Sequence, residues 1–260
     1  MTLMISITPV ILLVDSAVST QKTFRQMLNM NMPRLLEAME YTSKDQVLRL
    51  LTIHYNERQD IITNFLSTGD IHPDALTIRS DGTGLADTGR ALIFALDKTA
   101  DQTRSWLQQG HSVTPPICLL LTDGRPSAEH PPQDLQQSYA QAGEKLRRLI
   151  QDQKISFAAA ACSHLRFIQA ERKPLEQLCG DPECVFDIRE RPEFIPTREE
   201  GFDKLVTWLS QAIRNPGPVI NPSADAGEAA APESTRRRDP VAPPAPPKRT
   251  DNPIEEYLFL

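Results

Sequence analysis

The sequence predicts an α/β fold: a doubly wound, mostly parallel open sheet with helices on both faces. Two observations support this prediction. Short apolar runs without alternation, such as residues 10–14 and 117–121, are typical of strands that are buried on both faces. Longer segments with apolar side chains at helical spacing lie between these runs. That alternation indicates strand–helix–strand units, which build parallel sheets.

Six apolar segments predict the strands, and the third of them is short and suits a sheet edge. They are residues 10–14, 47–55, 60–66, 117–121, 155–162 and 185–188.

Apolar side chains at helical spacing predict four helices. They are residues 21–39, 85–96, 135–150 and 202–213. Pro33 interrupts the first of these, so we expect a kink there or two short helices. The second is predicted in spite of Gly89.

The composition changes at Pro216, and ten of the 22 prolines occur from this residue onward. We therefore expect one domain over residues 1–215 and a disordered tail over residues 216–260, because such a segment cannot bury enough apolar surface. Residues 254–260 are acidic and then apolar. A segment of this kind can dock on another protein, pack on its own domain, or have no role.

Charge and hydropathy exclude several classes of partner. The net charge is −6, which argues against generic binding to nucleic acid or to anionic lipid. No apolar run approaches the roughly 20 residues that span a membrane, and we see no basic leader, so we expect a cytoplasmic protein. Cys179 and Cys184 flank four residues, but no second pair completes a zinc site, and we interpret them as ordinary thiols.

Oxygen-bearing side chains follow two of the apolar segments and precede one of the helices. Asp15 and Ser19 come after the first strand, Thr83 precedes the second helix, and Asp123 ends the strand at residues 117–121. In open parallel sheets, ligands bind beyond the carboxyl ends of the strands. Carboxylate and hydroxyl oxygens are ligands that suit Mg²⁺. At the carboxyl edge, these side chains can supply the oxygens that such a cation takes.

These three loops resemble those of von Willebrand factor A domains, in which an Asp-x-Ser-x-Ser loop, a distant Thr and a distant Asp hold a cation. The resemblance implies a metal-ion-dependent adhesion site with Asp15, Ser19, Thr83 and Asp123 as ligands of Mg²⁺. It also implies that an acidic residue of a partner protein completes the coordination. Ala17 occupies the place of the first serine and offers no oxygen.

The loss of one hydroxyl leaves two states open for this site. Water in place of one ligand weakens a metal site, by about ten- to a hundredfold if the loss resembles that of a supporting group. Alternatively, Arg90 or Arg125 neutralises the carboxylates in place of the metal.

Within that family, the layout is similar to bacterial cytoplasmic A-domain proteins of the tellurite-resistance type. This similarity rests on residues 9–15, 119–124 and 202–210. It implies a stress-response setting with kinase and phosphatase partners.

The leading interpretation is a non-enzymatic interaction module, because no pair of nucleophile and base is visible. One alternative is a Mg²⁺-dependent phosphoryl-transfer enzyme with Asp15 as the nucleophile, although Ala17 then occupies the position of its second Asp. Another is a subunit that works with an AAA-type ATPase. Of the five histidines, His54 and His164 lie near strand ends and are the ones that can face the site.

Overall fold

The sheet and its helices are seen in a computed structural model, which describes seven stretches of the chain. They are residues 5–17, 22–40, 46–78, 84–122, 132–163, 168–189 and 200–222.

Within the described residues, seven strands form one sheet. They are β1 (Ser6–Asp15), β2 (Gln46–Tyr55), β3 (Gln59–Ser67), β4 (Ser112–Val113), β5 (Ile117–Thr122), β6 (Ser156–Ser163) and β7 (Val185–Arg189). The order is β3-β2-β1-β5-β6-β7, with β4 paired beside β1. All pairs are parallel except β2 with the edge strand β3, so the predicted fold class is confirmed.

Helices cover both faces of the sheet. They are α1 (Lys22–Glu40), α2 (Thr88–Gln108), α3 (Gln133–Gln151), α4 (Ile168–Cys179) and α5 (Glu200–Arg214). Because side chains alternate along a strand, each face of the sheet has its own core. Ile11 and Leu13 of β1 pack with α2, α3 and α4, whereas Leu12 of the same strand packs with α1 and α5.

Two predicted helices differ from the structure. Pro33 lies inside α1, which continues through it as one helix rather than two. Leu28, Met32 and Leu35 are buried on either side of the proline, and this packing outweighs the lost backbone hydrogen bond. The helix predicted from residue 85 begins at Thr88, because Asp87 caps it.

The short β4 and the helix α4 were not predicted. A two-residue strand such as β4 carries no periodic signal. Pro174 lies within α4 and obscured its helical pattern, although Leu175 and Leu178 are buried in the core.

The described body continues beyond residue 215. Ile220 forms an antiparallel bridge with Val113, and the Ser112 hydroxyl donates a hydrogen bond to Asn221 Oδ1 over 2.9 Å. The predicted domain boundary at Pro216 stays a prediction. None of the helices in the described ranges combines the length and apolar character that a membrane crossing requires.

Candidate metal centre

Asp15 is the last residue of β1 and is fully buried. Its Oδ1 accepts a hydrogen bond from the backbone N–H of Ala17 over 2.9 Å. Its Oδ2 accepts one from the Thr122 hydroxyl over 2.8 Å. These two bonds fix the direction in which the carboxylate points at the end of β1.

Strand pairing fixes this carboxylate between two neighbours. β1 lies between β2 and β5, with Asp15 beside Tyr55 and Val14 beside Leu121. Beyond the strand, the backbone N–H and the hydroxyl of Ser16 both donate to the carbonyl of Tyr55, over 2.8 and 3.0 Å. The loop after β1 is therefore tied to the end of β2, and the Asp15 side chain to the end of β5.

Of the four predicted metal ligands, Asp15 lies within the described residues. Ser19, Thr83 and Asp123 lie outside them, as does Arg125. The described residues that flank these positions are nonetheless informative. Thr122, which donates to Asp15, immediately precedes Asp123.

Gly84, which follows Thr83, lies against the turn after β2. Its φ is +68°, a conformation that favours glycine, and an added Cβ would overlap the side chain of Glu57. Three residues later, the Asp87 N–H donates to the Asn56 carbonyl over 3.2 Å. The chain thus enters α2 along the carboxyl end of β2, the strand beside Asp15.

Ala17 is buried, with 1% of its surface exposed. Its methyl group supplies no ligand, and its contribution to the site is the backbone N–H that orients Asp15. Within the described ranges, no group of three or more His, Cys, Asp or Glu side chains is placed to hold a metal ion. The predicted cation site includes Ser19, Thr83 and Asp123, which lie outside these ranges, and it stays a prediction.

Asp87 is a second buried carboxylate close to this edge, and the sequence interpretation missed it. Its Oδ1 accepts from the backbone N–H of Arg90 over 2.9 Å and from the Ser138 hydroxyl over 2.8 Å. Its Oδ2 lies 3.3 Å from Nε of Arg90. The signal was available, since an Asp directly before a helix is a preferred cap.

This geometry assigns Arg90 a partner other than the one proposed from the sequence. Arg90 was a candidate counter-charge for the Asp15 site, and its ion pair is with Asp87. The ion pair lies at the start of α2, and the hydrogen bond from the Ser138 hydroxyl to Asp87 joins the start of α2 to α3. At Gly89 the two helices approach so closely that an added Cβ would overlap the backbone of Ser138 and Tyr139.

His54 of β2 belongs to the core. It is 8% exposed, and the pKa lies near 4, lowered from 6.5 mainly by burial, while a hydrogen bond with the Leu76 backbone opposes that shift. The ring is therefore neutral near pH 7. His164 lies outside the described residues.

The two thiols considered for zinc are both protonated near neutral pH. Burial raises the pKa of Cys179 to about 12 and that of Cys184 to about 11. Cys184 Sγ lies 3.8 Å from Oδ2 of Asp181.

Three solved structures are similar to this chain at low sequence identity. Proximal thread matrix protein 1 from the mussel byssus is 14% identical, with a TM-score of 0.46 over 84% of this chain and 48% of that chain. A von Willebrand factor type A protein from Catenulispora acidiphila is 13% identical, with a TM-score of 0.48 over 80% and 42%. The PilB minor pilin from Streptococcus sanguinis is 12% identical, with a TM-score of 0.46 over 81% and 62%.

This chain spans less than two thirds of each of those structures. No curated protein matches it in sequence. A family model, the von Willebrand factor type A domain, matches residues 10–196, which is more than half of the chain. The match begins in β1 and ends beyond β7, so it includes the whole sheet except the first residues of β1. The chain belongs to the von Willebrand factor type A domain family.

Proposed function

We propose that this protein is a non-enzymatic interaction module that binds a protein partner through a divalent cation, Mg²⁺, at the carboxyl edge of its sheet. Asp15, Ser19, Thr83 and Asp123 hold the cation, and an acidic side chain of the partner completes its coordination. The observation that carries the proposal is the hydrogen bond from the Thr122 hydroxyl to Asp15. It ties the strand that leads into Asp123 to the buried carboxylate of β1.

Electrostatics supports a cation at this edge. Two carboxylates about 4 Å apart near a surface repel each other by roughly 4 kcal/mol at an effective dielectric of 20. If Asp123 lies beside Asp15, a bound Mg²⁺ removes that repulsion and supplies the positive charge that attracts a partner's carboxylate. Since Arg90 pairs with Asp87, the arginine-neutralised alternative depends on Arg125.

Ala17 makes the site weaker rather than absent. Its backbone N–H still orients Asp15, so the position of the carboxylate does not depend on a hydroxyl at residue 17. Water takes the missing place, at a cost of about ten- to a hundredfold in affinity. A site of this strength suits reversible binding, in which the partner's carboxylate contributes a large share of the cation's affinity.

The burial of Asp15 supports a ligand role over a nucleophilic one. A phosphoryl-accepting carboxylate has to reach a phosphorus atom, whereas Asp15 is fully buried and directed by two hydrogen bonds. Ala17 also removes the acid that such chemistry requires two residues later. Two narrower roles are compatible with an interaction module. In one, the partner is an AAA-type ATPase; in the other, the partners are kinases and phosphatases of a stress-response complex.

Calorimetric titration of Mg²⁺ and Mn²⁺ tests the proposal. We expect weak, saturable binding to the wild type and about tenfold tighter binding to Ala17→Ser, because the serine restores a ligand oxygen. Ser16→Ala is the matched control: its hydroxyl donates to Tyr55, and its loss should leave the affinity within about twofold.

Two results would overturn the proposal. One is the absence of saturable binding in both the wild type and Ala17→Ser when both are folded. The other is Mg²⁺-dependent hydrolysis of a generic phosphoester that disappears in Asp15→Asn, which would identify an enzyme.

A further inference from the structure

An aromatic groove lies between β7 and α5. Phe186 and Trp208 line it, with ring centroids 6.4 Å apart and planes inclined by 57°. Its rim is polar and its volume is about 350 Å³, within the range of ligand pockets. The rim residues are Asp203, Lys204, Thr207 and Gln211. We call this feature the β7–α5 groove.

The walls of the groove are fixed by the fold. Arg34 of α1 pairs with Asp203, and its guanidinium stacks 5.1 Å from the ring centre of Phe202 on the buried side of α5. Among the described strands, β7 pairs with β6 alone, so it forms one edge of the sheet. Phe186 and Trp208 are both only half-buried in this setting. The groove is therefore a preformed apolar surface beside a strand edge, and such surfaces accept extended segments.

We propose that residues 254–260 of this same chain, Ile-Glu-Glu-Tyr-Leu-Phe-Leu, occupy the β7–α5 groove. These residues lie outside the described part of the chain, and their chemistry and their tether support this assignment. In an extended segment, Tyr257 and Phe259 point to the same side. They match the two aromatic rings of the groove, and Glu255, on the same side of an extended segment, matches the positive charge of Lys204.

The tether is long enough. The described chain ends at Pro222, close to the bridge between Ile220 and Val113 beside β1. β7 lies three strands away from β1, about 14 Å across the sheet, and the register places Phe186 seven residues further along the strands than Ile7, about 23 Å. Residues 223–253 connect the two points, and a coil of that length has an end-to-end distance of roughly 30 Å. The segment therefore reaches the groove without strain.

Tethering makes a weak contact sufficient. An effective concentration on the order of 1 mM keeps a segment with a dissociation constant of about 0.1 mM docked roughly nine-tenths of the time. A separate protein would need a much tighter contact to compete. Occupation of the groove by residues 254–260 thus regulates access to this face, independently of the cation site.

Trp208 provides the readout, because the chain has two tryptophans and Trp106 is 7% exposed and packed edge-on against Phe65. We would measure acrylamide quenching in the full-length protein. The double substitution Tyr257→Ser with Phe259→Ser should raise the quenching constant about twofold, since it uncovers the Trp208 ring. The matched control, Val241→Ser with Ala245→Ser in the same tail, should leave it unchanged.

Charge reversal tests the orientation. Lys204→Glu should raise quenching as well, and combining it with Glu255→Lys and Glu256→Lys should restore the wild-type value. Equal quenching in the wild type and the Tyr257/Phe259 variant would overturn the proposal. So would wild-type quenching that falls as protein concentration rises, because that dependence would mean that the segment of a second copy fills the groove.

Discussion

Asp15 and Asp87 are both buried carboxylates close to the carboxyl edge of the sheet, yet they are held in different ways. Asp87 pairs with Arg90, caps α2 and accepts from Ser138 of α3. Asp15 accepts from the N–H of its own loop and from Thr122 on the neighbouring strand. The first carboxylate joins two helices, and the second joins the ends of two strands.

The difference shows that burial alone does not identify a binding residue. Asp87 has a cation from its own helix and a capping role, and these account for its position by stability alone. Asp15 is oriented by an amide and a hydroxyl, at the edge where ligands of parallel sheets bind. We therefore expect a substitution at Asp15 to lower Mg²⁺ affinity with little effect on stability, and a substitution at Asp87 to lower stability with little effect on Mg²⁺ affinity.

The largest effect is expected for Asp15→Asn. Replacing a charged ligand with an amide should lower Mg²⁺ affinity by more than about a hundredfold, because direct ligands exceed supporting groups in effect. The free energy of unfolding should change by about 1 kcal/mol or less, since the amide still bonds with its neighbours. Calorimetric titration and urea denaturation measure the two quantities. Unchanged Mg²⁺ affinity would remove Asp15 from the site.

Asp87→Ala should show the reverse behaviour. Loss of the helix cap costs about 1 kcal/mol, and the Ser138 hydroxyl left without its acceptor costs about 1–2 kcal/mol more. Mg²⁺ affinity should stay within about twofold. Asp87→Asn is the matched control. Because Asn is an equally good cap, this variant should lose about half as much free energy of unfolding as Asp87→Ala. A large drop in Mg²⁺ affinity without a loss of stability would instead place Asp87 in the cation site.

His54 is expected to make a smaller, pH-dependent contribution to the free energy of unfolding. This contribution has to be subtracted before a loss of stability at low pH is assigned to Asp15 or Asp87. Its pKa is lowered to about 4 in the folded protein, from 6.5. Between these values the unfolded chain binds more protons, so stability decreases as the pH falls below 6.5 and levels off below about 4. About 1 kcal/mol should be lost over the first unit below pH 6.5.

His54→Gln should flatten this decrease, because glutamine can donate to the Leu76 backbone and does not titrate. Urea denaturation across that pH range provides the measurement. An identical pH dependence in the variant would show that His54 is not the group responsible.

The sheet could be predicted from the sequence because its central strands are buried on both faces. β1 and β5 are continuous apolar runs, and their burial leaves little freedom in where they lie. The helix boundaries were less predictable, since they depend on tertiary contacts. The start of α2 is set by Asp87 together with the Asn56 carbonyl on a distant turn, and the continuity of α1 through Pro33 is set by packing.

The candidate site could be predicted in part. The rule that ligands bind beyond the carboxyl ends of strands pointed to Asp15, and its buried carboxylate at the end of β1 agrees with that expectation. The role of Thr122 could not be predicted, because it depends on the register between β1 and β5. The roles of Asp15, Ser19, Thr83 and Asp123 as metal ligands stay a prediction.

The crossing at Gly89 has a mechanical consequence. Since α2 and α3 touch there through backbone atoms, with no side chain between them to adjust its rotamer, the first turn of α2 cannot tilt towards its neighbour. Asp87 and Ser138 couple the same two helices at this crossing. A force applied to the segment that leads into α2 is therefore passed to α3 as a rigid displacement, and the outer surface of α3 moves with it.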